Sequence, residues 1–285
     1  MKLQAAWNLK SMSVPLGLFA SALLPQSPVK KQRRKEEDME RWNEFLRAVG
    51  ENAAFLVVVL LIAAALMGIA YGLEYLIAKK TGISRKKMSV KKMAVIAMMS
   101  AIAMVVMLFE FPIPFLAPPF YELDFSEVPI LICGFLYGPM AGVLAELIKV
   151  ILKVLIKGTS TAFVGDFANF VIGCSLVIPA TAWYQRKKNR SHALTGLILG
   201  TVIMAVFGTL FNGVYLLPKF AQLYGMPLDE IIAMGTAING GIQNIMTFVI
   251  IAVAPMNIIK GAAATIIVML IYKPISRVMH RMMAE

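Results

Sequence analysis

The chain has 285 residues, 59% of them hydrophobic, and only 15% are charged, against about 25% in a typical soluble domain. Such a chain cannot cover its surface with polar groups, so a water-soluble enzyme is excluded. The formal charge of +12 lies in short basic runs between apolar stretches, the layout of cytoplasmic loops and not of a nucleic-acid-binding face.

Residues 1–52 read as an N-terminal extension with two open readings. The apolar run 13–24 behind Lys2 and Lys10, with Ala20-Ser21-Ala22 within it, looks like a signal segment. The alternative is a poorly ordered extension, with the mixed-charge run 30–47 solvated and partly helical. Residues 53–78 carry one charge, Glu74, and are long enough for a transmembrane helix, which needs about 20 apolar residues. Further spans are expected at 93–109, 139–157, 165–184, 196–217 and 255–272, with Pro139 and Pro255 opening their helices. The stretch 127–137 is apolar but short, about 17 Å as a helix, so part of the preceding loop must enter the protein to complete that crossing. Residues 241–254 are too short to span and are expected to form a cover at the outer surface.

The stretch 79–92 carries Lys79, Lys80, Arg85, Lys86, Lys87, Lys91 and Lys92 and no acid. Arg186, Lys187, Lys188 and Arg190 mark a second basic loop, and Lys273, Arg277 and Arg281 the C-terminus. The intervening loops instead hold Glu110, Glu122, Asp124, Glu127, Asp229 and Glu230 against Lys219. The positive-inside rule places the basic segments in the cytoplasm.

Chemistry for catalysis is missing from the pattern. His192 and His280 lie in polar flanks, and there is no His-Glu-x-x-His helix, Gly-x-Ser-x-Gly elbow or phosphate-binding glycine loop. Cys133 and Cys174 lie within apolar runs, which excludes a disulfide framework or a Cys-x-x-Cys metal site. Binding, transport or scaffolding remain, with no enzyme activity, cofactor or metal expected.

Polar groups within the spans are functional candidates, since a charge at the bilayer centre costs about 2.5–3.5 kcal/mol on insertion scales. Glu146, Lys149 and Lys153 share a helix face. Glu146 and Lys149 read as a buried ion pair that orients the helix, or as ligand or partner contacts. Asn257 and Lys260, three apart, are expected in the first two turns of the last helix. They offer amide and ammonium donors to an acceptor-rich ring, although Lys260 could instead snorkel to the interface. Asn212 either contacts ligand or bonds to a neighbouring helix. The loop 110–126, rich in proline and aromatics, reads as a lid over the bundle mouth. Ala97 and Ala101, with Ala94 and Ala103 nearby, would let another helix approach closely.

Leu123-Asp124-Phe125-Ser126-Glu127-Val128-Pro129, the run from Gly138-Pro139 to Glu146-Leu147-Ile148-Lys149, Gly165-Asp166-Phe167-Ala168-Asn169-Phe170 and Pro255-Met256-Asn257-Ile258-Ile259-Lys260-Gly261 resemble the riboflavin-binding S components of energy-coupling factor (ECF) transporters. The resemblance spans about 88–280, and the helix before it departs from the family pattern. It implies an all-α, polytopic fold: a six-helix binding domain over 88–280 preceded by one additional transmembrane helix. It implies a subunit of the cytoplasmic membrane that takes riboflavin from outside and assembles with a transmembrane coupling subunit and two cytoplasmic ATPase subunits. Riboflavin would be its transported ligand, not a cofactor. The resemblance maps flavin contacts onto Asn257, Lys260 and Asn212, loop closure onto Leu123 and Asp124, and coupling-subunit contact onto Ala97 and Ala101. An S component for another vitamin or FMN, or a ligand-free scaffold, are the alternatives.

Overall fold

The computed structural model describes residues 53–82, 88–159, 161 and 163–284, with side chains between 55 and 274, and the isolated helical positions Met39, Asn43 and Gly50. The signal-like run 13–24 lies outside the described residues. The chain divides into two compact units, Met1–Leu56 and Val57–Glu285, and the following concerns the second.

Helix α1 (Ala53–Thr81) exposes Val57, Leu60, Leu61, Tyr75 and Leu76, as a helix bathed in lipid does. Helix α2 (Val90–Met107) starts at Ser89, whose side chain accepts from the Lys92 N–H. A two-stranded antiparallel ladder follows, β1 (Phe111–Pro112) on β2 (Glu122–Leu123), with Phe111 opposite Leu123. Helix α3 (Glu127–Tyr137) stops at Gly138, whose φ of +94° only glycine adopts without strain. Pro139 then opens α4 (Pro139–Lys157). Helices α5 (Val164–Arg186) and α6 (Arg190–Phe211) complete the inner bundle with the last helix. Its core joins Ile130, Phe135, Leu176, Tyr184, Leu197 and Val268.

The outer part departs from the expected boundaries. Helix α6 does not end near residue 217. It passes through a π turn (Asn212–Leu216) into α7 (Leu217–Tyr224). After α8 (Leu228–Thr236), residues 245–253 are not a separate cover. Helix α9 (Ile245–Phe248) runs through a second π turn (Val249–Val253) straight into α10 (Ala254–Ala284). Pro255 therefore lies inside a helical run, and Asn257 and Lys260 sit well within it and not in its first two turns. The physical reason is shared. Pro218 and Pro255 each follow a π turn by two residues. The widened turn accommodates a ring that removes an N–H and would clash with the carbonyl four residues back.

Among the described residues, five helical runs are long and apolar enough to cross a membrane: Phe55–Thr81, Val90–Met107, Val164–Arg186, Arg190–Tyr224 and Ile245–Pro274. The protein is a multi-pass membrane helical bundle. Glu74 Oε1 of α1 accepts from the Met140 N–H at 2.9 Å, capping α4, while a side chain at Gly138 would strike that carboxylate. A carboxylate on the N-terminal amides of a helix is favourable. Glu74→Ala in the full chain is expected to lower the thermal midpoint, at a cost of about 0.5–2 kcal/mol, with ligand affinity unchanged. Calorimetry and titration of the same preparation check this.

Candidate functional site

The segment 121–127 enters the bundle from the lid and supplies what the short α3 lacks. Leu123, Asp124, Ser126 and Glu127 are all buried. Outside them, Phe120 packs on Phe220 and Tyr224, and Tyr121 on Phe248. The lid thus rests on α7 and α9. It is also tied at its start, where Lys157 of α4 pairs with Glu110.

Two lid residues reach the sequence-predicted site. The Tyr121 hydroxyl donates to Asn212 Oδ1 at 2.7 Å, and Asn212 Nδ2 donates to the Gly208 carbonyl at 2.7 Å. Burial, with help from Tyr224, pushes the Tyr121 phenol up, which keeps it a donor. Asp124 Oδ2 accepts from Lys260 at 3.0 Å. Lys260 also lies 2.9 Å from Glu127 Oε1. Lys260 is therefore held by carboxylates and does not snorkel outward; its side chain is 13% exposed. Burial pushes the Asp124 carboxyl up, but Lys260, Lys149 and the hydrogen bonds from Ser126 outweigh it together. They hold it well below the usual carboxylate range.

Asn257 stands one turn before Lys260. Its Nδ2 is buried without a hydrogen-bond partner, and it lies against Gly208, where a Cβ would sit 2.7 Å away. Gly208 therefore joins Asn212 and Asn257: its carbonyl accepts from the first and its bare α-carbon admits the second. The two π turns also pack on each other, a distortion common at functional sites.

Beneath this lies a charged network. Lys149 Nζ donates to Glu146 Oε1 at 2.5 Å, Asn169 Oδ1 at 2.9 Å and Ser126 Oγ at 3.0 Å. Lys153 pairs instead with Asp166 of α5 at 2.5 Å. Glu127, counted with the loop acids in the sequence, is the first residue of α3 and fully buried. Sequence reasoning did not place Tyr121, Ser126, Glu127, Asp166 or Asn169 among the site residues. The available signal was charged and amide side chains in otherwise apolar segments, Glu127 at the start of α3 and Asp166 and Asn169 in α5. Ala97 and Ala101 are exposed beside the buried residues of α2, which include Ile96, Ser100, Ala103, Met107 and, on the side of the alanines, Met104.

A cluster of buried polar side chains inside a membrane bundle, covered by an aromatic lid, suits a small-molecule binding subunit. The family model described as the ECF transporter, substrate-specific component, matches residues 91–272, and the chain belongs to that family. The riboflavin transporter RibU of Staphylococcus aureus (strain TCH60) is 36% identical over 191 residues, 67% of this chain and 93% of its own. The riboflavin transporter FmnP of Bacillus subtilis (strain 168) is 37% identical over 187 residues, 65% of this chain and 92% of its own. A solved structure, described as that of the S component of a bacterial ECF transporter, is 37% identical. It superposes with a TM-score of 0.52, covering 66% of this chain and 96% of that one. These relatives are named transporters, not enzymes.

Proposed function

We propose that this S component captures riboflavin at the outer face of the cell membrane. A coupling subunit and two ATPase subunits then drive its uptake. The observation that carries the reading is the unpaired Asn257 amide. It is a buried donor between Asn212 and Lys260, in a chain whose similar relatives carry riboflavin in their names. A flat ring with carbonyl and nitrogen acceptors satisfies that donor. Protein purified in detergent with riboflavin is expected to be yellow and to quench flavin fluorescence. Colourless protein that leaves added riboflavin fluorescent would favour a ligand-free scaffold.

The geometry also ranks flavins. Of the outer acids, Glu110 is paired with Lys157, and Asp124 and Glu127 with Lys260, so general repulsion of a phosphate is weaker than the sequence tally suggests. Lys149, Lys153, Lys157 and Lys260 each have a carboxylate partner. A phosphate binding among these lysines must break one of these pairs. Riboflavin is therefore expected to bind at least about tenfold more tightly than FMN, one charge-assisted hydrogen bond's worth. Competition titration checks the order. Equal affinities would mean that one of these lysines changes partner for the phosphate.

A further inference from the structure

The charged network does not balance. Among the described residues, Asp124, Glu127 and Glu146 face only Lys149 and Lys260; the neighbouring Lys153 and Asp166 neutralise each other. The remaining group beside Glu146 is the buried thiol of Cys174. All three carboxylates are buried, with 1% or less exposed.

Counting donors locates the imbalance. An ammonium has three N–H groups, and those of Lys149 are taken by Ser126, Glu146 and Asn169. Asp124 is satisfied on both oxygens, Oδ1 by the Ser126 N–H and Oδ2 by Lys260 and the Asn169 amide. Glu127 Oε2 and Glu146 Oε2 are left, buried and without hydrogen bonds, as is Asp166 Oδ2 in the balanced pair with Lys153. Both glutamate side chains reach Gly173 of α5. A Cβ there would strike Glu146 Oε1 and lie 3.5 Å from Glu127 Oε1. An uncompensated carboxylate in such surroundings is costly. Neighbouring carboxylates relieve the cost by taking up one proton, which removes the excess charge and turns an orphan acceptor into a donor.

We propose that this cluster is a proton-binding site, with one proton shared between Glu127 and Glu146 in the folded protein at neutral pH.

The test uses the full chain in detergent without ligand, so it stands or falls separately from the riboflavin reading. Infrared spectra in H2O and D2O are expected to show the carbonyl band of a protonated carboxylic acid. Glu127→Gln alone and Glu146→Gln alone should each abolish it, because either leaves two carboxylates against two ammoniums. If one variant does not fold, the other decides. Thermal unfolding gives a second readout. The folded chain holds a proton that the unfolded chain releases above about pH 4.3, so the wild-type midpoint should fall as pH rises from about 5 to about 7, and the Gln variant should lose that part of the slope. Loss of the band in only one variant assigns the proton to that carboxyl and overturns the sharing. A band and slope unchanged in both variants overturn the site.

Discussion

Lys260→Met is expected to weaken riboflavin binding about 100-fold, the loss of a charge-assisted hydrogen bond of up to about 3 kcal/mol. It should also lower the stability of the ligand-free protein. Lys260 bridges Asp124 of the lid and Glu127 of α3, and removing one partner of a buried pair costs about 3–5 kcal/mol. The two effects separate in the double variant Asp124→Asn/Lys260→Met. Removing the facing charge should recover much of the stability without recovering affinity. Asn257→Ala supplies the contrast. Its Nδ2 is unpaired in the ligand-free structure, so its removal should leave the thermal midpoint unchanged or raised while affinity falls about tenfold. Titration and thermal unfolding on the four proteins check this. If the double variant bound normally, Lys260 would only hold the lid and would not touch the ligand.

The parts of this site differ in how readable they were. The apolar spans and the basic loops between them follow from composition, because lipid admits little else. The alanine spacing on α2 is also visible, since a helical period needs only local sequence. The continuity of the last helical run was hidden. Pro218 and Pro255 are strong breakers in a sequence, and nothing local says that a π turn will absorb them. Lys149 was recognisable as a buried charge, yet three of its neighbours, Ser126, Glu127 and Asn169, come from a loop end and two other helices. Periodicity cannot say which helices become neighbours. Glu127 was read as a loop acid because the apolar run begins after it, whereas the chain had already turned inward at Asp124. That inward segment also supplies the depth that α3 lacks.

Ala97→Trp and Ala101→Trp are expected to abolish riboflavin uptake while leaving binding by the isolated protein within about twofold, as exposed substitutions usually do. The exposed stripe of α2 runs Val90, Ala94, Ala97, Ala101 and Val105, and larger Met93, Met98 and Ile102 flank it. Lipid does not require small side chains. The exposed face of α6 carries Ile198, Val202, Val206 and Leu210 instead. A shallow alanine groove has its physical use where another helix packs closely, and we place the coupling subunit there. An indole suits a lipid-facing surface, so the variants should insert and fold. In the groove it would hold the partner helix away and forfeit the close packing that drives association between membrane helices. The inward face of α2, through Ile96, Ser100, Ala103 and Met107, remains buried, and neither alanine is among the residues of the candidate site. Uptake in cells, co-purification with the coupling subunit and flavin titration of the isolated protein give three separate readings. Normal uptake by both variants would move the docking face to another part of the bundle.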